Sequence, residues 1–509
     1  MSEPHVPSAE AGYLRAVPLL AALEASETTT VGVVGALLDR IEAVDRAGPR
    51  LRSVLSVDER ALEVAAELDE ERRSGRLRGP LHGVPVLVKD NIDTEGPLGT
   101  TAGSLALAGR FPASDATLVA QLRRAGALVL GKTNLSEWAN FRGRPSASGW
   151  SAVGGQCRNP HGLDRTPGGS SSGSGAAVAA GLAPLAVGTE TDGSILCPAA
   201  VNGIVGLKPT VGLVSRSGIV PISPSQDTAG PMGRTVEDVA LLLEALAAEE
   251  PDFADLATSR RPAHGPGGYL AATRRSAEGL RVGVASGPGF SDYHPPTDAA
   301  AAVAVEALRA AGVEVVDDVA CQGADDEDEL LVLCTEFRWA LADYLSRRSE
   351  APGALDDVIA FNEATAAERL DLFGQDLLVR SAASPGLDDA GYLAARQRNW
   401  DRTRRDGIDA LLERHGVDAL VAPAMGPPWL VDYVAGDSSA GAAWGQAAVA
   451  GYPSITVPVG LLHGLPVGLA LWGRAWSETT LLTLAAALER ELGTGSPRPA
   501  WAEATASIA

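Results

Sequence analysis

Lysine is the scarcest charged residue in this chain of 509 residues, which has only Lys89, Lys132 and Lys208 among 42 basic residues. Arginine therefore carries the ordinary surface charge. Because arginine keeps its proton in proteins while a buried lysine can lose it, the lysines mark positions where arginine cannot substitute. All three follow apolar segments, so scarcity does not choose among them. The alternative role is a structural lysine bonded to backbone carbonyls, which we favour for Lys132 and Lys208.

Cysteine is also rare, and its four copies form no C-x-x-C pair. So few thiols in so long a chain are too sparse for a disulfide framework, and a reducing compartment suits them. Neither the cysteines nor the seven histidines show metal-ligand spacing. We therefore expect no metal and no cofactor.

The N-terminus lacks a basic start and a long apolar run, because Glu24 interrupts the apolar stretch. Neither a signal peptide nor a membrane span is predicted, and the cytoplasm is the expected location. The net charge of −22 opposes binding to nucleic acid or to an anionic membrane. The sequence is compatible with a monomer or a homo-oligomer.

The periodicity of apolar residues changes along the chain. Helical spacing dominates residues 1–75, and strand-like runs then alternate with helical segments, most clearly over 281–316 and 418–493. This alternation predicts an α/β fold. We expect N-terminal helices over 1–75 packed on one main domain over 76–509, with a motif-rich region at 80–240.

Two Gly/Ser segments have the most unusual composition: TPGGSSSGSGAA (166–177) and GTETDGSI (188–195). A serine in a turn after a strand is held rigidly, and nearby N–H groups can converge on one oxygen, as acyl transfer requires. The alternatives are a flexible linker and a phosphate-binding loop for the first segment, and an ordinary strand-to-helix turn for the second. Apolar flanks weaken the linker interpretation, and the missing Lys-Ser/Thr ending argues against a phosphate loop.

A serine nucleophile needs a base, and no histidine is placed in a pattern with either segment. Lys89 directly follows the apolar run VPVLV. Burial disfavours a charged amine and lowers its pKa, so that a neutral Lys89 can accept a proton from a serine hydroxyl.

The segments GVPVLVKDNID, PGGSSSGSGAA, GTETDGSILCPAA and GLKPTVGLVSRSG resemble the amidase signature family. The resemblance covers about 80–240 and returns more weakly at 418–475. It implies a single large α/β/α layered domain around a mixed twisted sheet, and an amidase with a Ser–cis-Ser–Lys triad.

Carried over residue by residue, the resemblance implies that Ser194 is the nucleophile, Ser170 the proton relay and Lys89 the base. It also implies a cis peptide bond between Gly169 and Ser170. Backbone N–H groups near Thr191, Asp192, Gly193 and Ser194 would form the oxyanion hole, and Ser171 would support the network.

Two positions depart from the commonest family pattern, since Asp192 replaces a glycine and Leu196 an arginine. This variant is similar to that of bacterial peptide amidases. It implies release of ammonia from the C-terminal amide of peptides through a serine acyl-enzyme, with a peptide or small-molecule amide as substrate. A general aliphatic or aryl amidase is the main alternative.

Other functions are less consistent with the sequence. The acidic chain and the Asp192/Leu196 variant argue against an amidotransferase component, and the absence of an apolar membrane-binding segment argues against a fatty-acid amide hydrolase. A metal-dependent amidase would need a ligand cluster. A non-catalytic scaffold would not need all three triad positions filled.

Four further side chains near the motifs allow two interpretations each. Cys197 is a catalytic thiol or, as we favour, a small buried core residue. Trp138, Phe141 and Trp150 either line an acyl pocket or only pack their loop.

Overall fold

The structure is a computed structural model that describes Tyr13 and residues 15–247, 250–262, 268–348, 352–366, 372–493 and 495–501. Its framework is one eleven-stranded mixed sheet in the order β1-β3-β2-β6-β8-β7-β12-β13-β11-β9-β10. The strands are β1 (Val54–Val57), β2 (Pro85–Lys89), β3 (Leu128–Thr133), β6 (Leu185–Glu190), β7 (Val205–Lys208), β8 (Thr228–Gly233), β9 (Arg281–Ser286), β10 (Glu314–Ala320), β11 (Ala419–Pro423), β12 (Ser454–Leu462) and β13 (Leu465–Trp472).

Two short strands, β4 (Trp150–Ser151) and β5 (Gly155–Gln156), form a separate antiparallel pair. The regular α-helices are α1 (Ala16–Glu24), α2 (Thr30–Arg40), α3 (Ala61–Arg73), α4 (Thr117–Arg124), α5 (Ser172–Ala179), α6 (Leu196–Asn202), α7 (Val236–Leu246), α8 (Tyr269–Ala272), α9 (Pro295–Ala310), α10 (Asp326–Ser346), α11 (Leu355–Thr365), α12 (Asp376–Ala382), α13 (Ala390–Trp400), α14 (Asp409–His415), α15 (Gly445–Ala450) and α16 (Glu478–Leu492). A further short element, Glu137–Asn140, is kinked at Trp138 and Ala139.

The sheet separates two apolar cores. Val86 and Val88 of β2 enter one core, whereas Leu87 between them enters the other, because successive side chains of a strand point to opposite faces. The first core is covered by helices that include α4, α7, α9 and α16, and the second by α1, α2, α3, α5, α6 and α14. The prediction of a single layered α/β domain with a mixed sheet is confirmed.

The two halves of the sheet join at its centre. Strands β7 and β12 are antiparallel there, with Ser454 opposite Lys208. On one side of this junction lie strands from the first half of the chain, and on the other side lie β9, β10, β11 and β13. Most chemistry-bearing motifs lie on the first side.

The N-terminal segment differs in one respect from the expected series of helices. Helices α1, α2 and α3 are present, but β1 intervenes and pairs antiparallel with β3, with Val57 opposite Gly131. A four-residue strand is too short to show a period of its own. No described helix is long and apolar enough to cross a membrane.

Candidate active site

The site forms where two neighbouring parallel strands end. Strands β2 and β6 are paired with Val88 opposite Val187, so Lys89 at the end of β2 lies beside the end of β6. Lys89 lies two residues after Leu87 on β2, so its side chain points to the same face of the sheet, towards the core that contains α5 and α6. Its side chain is fully buried.

The Lys89 amine contacts both Gly/Ser segments. Its Nζ donates to Ser170 Oγ at 2.7 Å, to Thr189 Oγ1 at 2.8 Å and to the Thr189 carbonyl at 3.2 Å. The peptide bond between Gly169 and Ser170 is cis, as the resemblance implies. The structure thus brings Lys89 and Ser170 together, although 81 residues separate them in the chain.

Ser171 connects Ser170 to the second turn. Its hydroxyl donates to the Thr189 carbonyl at 3.0 Å and accepts the Thr189 N–H at 3.1 Å. Its main-chain N–H donates to the Ser194 carbonyl at 3.1 Å. These three bonds fix the Ser170–Ser171 segment against the turn that carries Ser194.

Ser194 lies between the end of β6 and the start of α6, and 8% of its surface is exposed, whereas Ser170 is fully buried. The preceding Gly193 has φ of +73°, a conformation that residues with a Cβ rarely adopt. A Cβ built there would overlap the indole ring of Trp444. Glycine is therefore required both by the backbone and by the ring that packs over the turn.

A buried carboxylate, Glu190, holds the turn from within. Its Oε2 accepts the N–H groups of Ile195 at 2.7 Å and Leu196 at 3.0 Å. Burial raises the pKa of Glu190, while the nearby Lys208 and the N–H groups of Ile195, Leu196 and Gly193 act in the opposite direction. The Glu190 carboxylate therefore fixes the backbone that follows Ser194.

Burial dominates the electrostatics of Lys89. Desolvation lowers its pKa well below the usual value, and the charges of Glu190 and Asp227 only partly oppose that shift. Among the described residues, Lys89 forms no ion pair within 4.0 Å. Its neighbour Thr189 is fixed by Asn91, whose Nδ2 donates to Thr189 Oγ1 at 2.9 Å. The arrangement favours a neutral amine in hydrogen-bond contact with a serine hydroxyl.

The other two lysines have the structural role that the sequence favours. Lys132 donates to the Ile92 carbonyl and to Thr94 Oγ1 at 3.0 Å, and it lies 3.9 Å from the Asp90 carboxylate. Lys208 donates to the Pro209 carbonyl at 3.1 Å. Both are fully buried.

Asp192 lies on the open side of the turn and is exposed to solvent. The surrounding protein nevertheless removes part of its hydration, and this, together with the negative charges of Glu329 and Glu190, raises its pKa well above the usual range. Burial also raises the pKa of Glu329 to about 7. Asp192 therefore adds an acidic group of shifted pKa two residues before Ser194.

The structure shows packing contacts for the remaining candidates. Burial raises the pKa of Cys197 to about 12, so its thiol stays protonated. Trp138 and Phe141 pack on Phe337, with ring centroids 6.4 and 5.1 Å away, and Trp150 packs on Phe373 at 5.4 Å. All three aromatic side chains are buried.

A cavity of about 530 Å³ adjoins the turn. It is lined by Asn91, Thr189, Glu190, Thr191 and Asp227, among others. Neither Ser170 nor Ser194 is among the described residues that line it, so the cavity lies beside the serines rather than over them. Its volume falls within the range of small-molecule pockets.

Four residues of this site were missed by the reasoning from sequence: Asn91, Thr189, Glu190 and Asp227. Asp227 accepts from Thr191 Oγ1 at 2.6 Å and from the N–H groups of Ile222 and Ser223, each at 2.8 Å. Three of them could have been recognised from their position in the sequence, because Asn91, Thr189 and Glu190 are polar residues at or just beyond the ends of apolar strands.

The family model for Amidase matches residues 32–482. The chain belongs to the amidase signature family. A native peptide amidase from Stenotrophomonas maltophilia is similar in structure, with a TM-score of 0.89 and 49% identity over 95% of this chain and 98% of that one. The present chain is therefore an amidase-type hydrolase by family.

Two curated relatives are similar over most of their length. A probable amidase of Arabidopsis thaliana is 38% identical over 88% of this chain and 85% of its own. One of the subunits of the glutamyl-tRNA(Gln) amidotransferase of Symbiobacterium thermophilum is 37% identical over 94% of this chain and 97% of its own. Relatives of both kinds share this family.

Proposed function

We propose that the protein hydrolyses carboxamides, in particular the C-terminal amide of peptides, and releases ammonia through an acyl-enzyme on Ser194. The observation that carries the proposal is the 2.7 Å contact between buried Lys89 and Ser170, beside the turn of Ser194. A desolvated lysine that contacts a serine hydroxyl can act as a base when its amine is neutral.

The chemistry runs from Lys89 to the substrate. Neutral Lys89 accepts the proton of Ser170 as Ser170 accepts that of Ser194. Ser194 Oγ then bonds to the amide carbon, and the negative charge on the carbonyl oxygen is stabilised by backbone N–H groups of residues 191–194. The proton returns through Ser170 to the nitrogen, and the C–N bond breaks to release ammonia.

Water completes the cycle by the same route. It loses a proton to the Ser170–Lys89 pair and attacks the ester carbonyl of the acyl-enzyme. The ester bond to Ser194 breaks, the serine regains the proton from the pair, and the product acid leaves and loses its own proton to solvent. In this scheme Ser171 and Thr189 are positioning residues, since they fix Ser170 and Lys89 through the hydrogen bonds described above.

Peptide amides are the proposed substrates for two reasons. The solved peptide amidase from Stenotrophomonas maltophilia shares 49% identity over almost the whole chain. The Asp192/Leu196 variant of the nucleophile segment also matches that subfamily. The cavity of about 530 Å³ beside the turn has room for the retained part of a short peptide.

The test measures ammonia release from a short peptide with a C-terminal carboxamide, alongside free glutamine, a simple aliphatic amide and the Ser194→Ala enzyme. Rapid release from the peptide amide, abolished in the variant, supports the proposal. Release mainly from the aliphatic amide would retain the mechanism and reject peptide specificity. Release from glutamine alone would favour an amidotransferase role.

Ser170→Ala separates the relay from the nucleophile. We expect its kcat to fall by roughly 10²-fold or more, but less than in Ser194→Ala, because a water molecule can partly replace a relaying hydroxyl. Steady-state ammonia release by both purified variants measures the difference. Activity of Ser170→Ala equal to that of the unmodified enzyme would remove Ser170 from the mechanism.

A further inference from the structure

A second cleft, of about 630 Å³, lies on the side of the molecule formed by α10, α13 and the chain after α15. Its lining is unusually aromatic for a protein in which aromatic residues make up only 5% of the composition. Five large rings contribute to it: Trp339, Tyr392, Trp400, Tyr452 and Trp476. None of the proposed catalytic residues lines it.

Four arginines and three acidic residues line the same cleft, and most of them neutralise one another. Arg216 is bonded to Asp255 at 2.5 Å. Arg396 lies 4.0 Å from Glu336. The Glu336 carboxylate also accepts hydrogen bonds from the hydroxyl groups of Ser223 and Tyr392. The third acid, Asp343, is paired at 2.7 Å with an arginine outside the cleft, Arg347.

Arg260 and Arg404 remain without a carboxylate partner within the described part of the chain. The guanidinium of Arg404 stacks 4.3 Å from the Trp400 ring, and its Nε donates to the Ala450 carbonyl at 2.7 Å. Burial lowers the pKa of Arg404; the positive charge of Arg260 acts in the same direction, whereas Tyr452 and Asp409 act against it. Arg260 is exposed.

Arg260 and Arg404 line one cleft, and like charges in the same cleft repel each other. An anion between them would relieve the repulsion, and a guanidinium that stacks on an aromatic ring keeps its edge N–H groups free for a carboxylate. The rings beside the arginines offer flat apolar surface. The cleft thus combines two recognition elements: a positive charge and an aromatic wall.

We propose that this cleft binds a small, flat, anionic ligand of the aromatic carboxylate class. The carboxylate lies between Arg260 and Arg404, and the aromatic ring of the ligand packs against Trp476, which lines the same cleft. The site adjoins the cavity beside the active-site turn, because Arg216, Asp255 and Leu256 line both. It differs from that cavity in lacking Thr189, Glu190 and Thr191.

The cleft also has a physical link to the turn of Ser194. Helix α15 begins just after Trp444, which packs over Gly193, and ends at Ala450, which accepts the hydrogen bond from Arg404. Arg404 therefore joins the cleft to the far end of the helix that follows Trp444.

Calorimetric titration of the full chain tests the proposal with three probes: naphthoate, its neutral alcohol naphthalenemethanol, and inorganic phosphate. We expect naphthoate to bind with one-to-one stoichiometry and more tightly than either control probe. Arg260→Ala should weaken naphthoate binding roughly tenfold, which is the loss expected for one charge-assisted contact. Arg275→Ala removes an exposed arginine outside the cleft and should leave the affinity unchanged.

A second variant guards against an indirect effect of Arg260→Ala. Arg404→Lys keeps the positive charge but loses the planar fork and its stacking on Trp400, so naphthoate affinity should again fall severalfold. Ammonia release by Arg260→Ala should match that of the unmodified enzyme, because Arg260 belongs to no part of the proposed catalytic machinery.

Four results would overturn the proposal. They are no binding of naphthoate, equal binding of the neutral alcohol, equal binding of phosphate, and unchanged naphthoate affinity in Arg260→Ala. The last would place the carboxylate elsewhere, for instance at the catalytic serines, where a product carboxylate would be insensitive to Arg260. The readout is independent of amidase activity and is therefore interpretable if the proposed function fails.

Discussion

Lys89 and Lys132 lie on adjacent parallel strands, with Val88 opposite Lys132, and both are fully buried. Their surroundings differ. Lys132 has the Asp90 carboxylate 3.9 Å away and bonds to a carbonyl and two hydroxyl groups. Lys89 donates hydrogen bonds to two hydroxyl groups and one carbonyl. The carboxylates that would stabilise its positive charge, Glu190 and Asp227, lie farther away.

The difference in surroundings gives the two buried amines different pKa values. Desolvation lowers the pKa of Lys132 to about 8, with Asp90 and Asp93 acting against the shift, whereas the pKa of Lys89 is lowered well below its usual value. A nearby carboxylate keeps a buried amine charged and structural. The Lys89 amine, whose pKa is lowered further, is the one proposed for proton transfer.

The largest effect is expected for Lys89→Met, which retains an unbranched apolar side chain but no amine. We expect kcat for ammonia release to fall by roughly 10²- to 10⁴-fold, the usual contribution of a general base. The folded state should be retained, because no ion pair is broken. Steady-state kinetics with circular dichroism as the folding control measures both. A rate close to that of the unmodified enzyme would show that Lys89 is not the base.

Lys132→Met should lower the stability of the protein rather than its activity. Removing this amine leaves Asp90 buried without its counter-charge, which costs about 3–5 kcal/mol of unfolding free energy. The rate per folded molecule should change little. Urea denaturation measures the loss, and the double variant Lys132→Met/Asp90→Asn should recover part of it. If activity disappears while stability is unchanged, the roles assigned to the two lysines are reversed.

The pH dependence of kcat/KM sharpens the comparison further. The neutral amine of Lys89 is the proposed active form, and burial places its pKa well below 10.5. Activity should therefore rise with increasing pH through that lowered pKa and be lost as the amine is protonated at lower pH. The residual activity of Lys89→Met should lack this acid limb. Its persistence in the variant would assign the limb to another group, such as Asp227 or Glu329.

The smallest effect is expected at Cys197, three residues beyond Ser194. Its thiol is buried and protonated, so Cys197→Ala should leave kcat within about twofold of the starting value and cost about 1 kcal/mol of stability. Ammonia release and urea denaturation measure the two quantities. A loss of activity as large as that of Lys89→Met would instead identify a catalytic thiol.

Much of the fold follows from local sequence signals, whereas the main contact of the site does not. The helix over 235–248 and the strand entering GTETDGS were expected, and Val236–Leu246 and Leu185–Glu190 are observed. The contact between Lys89 and Ser170 was expected from the resemblance, since nothing local joins two residues 81 positions apart.

The central strands β7 and β8 escaped prediction for physical reasons. Strand β8 has the sequence TAGPMG, in which glycine and proline are poor strand formers. Pro231 is tolerated because β7 pairs with β8 only at Gly233 and Met232, beyond the proline. Asp227 was missed because its role is recognisable only from the N–H groups of Ile222 and Ser223 that surround its carboxylate.

The junction of β7 with β12 has a consequence for the nascent chain. Lys208 faces Ser454, so the edge of β7 stays unpaired on the ribosome until about 250 further residues have been made. An unpaired central edge is a template for association with other chains. Synthesis of this protein therefore includes a long interval in which the half carrying all three proposed catalytic residues is complete in sequence but exposed along one side. Chaperone contact during translation should concentrate in that interval.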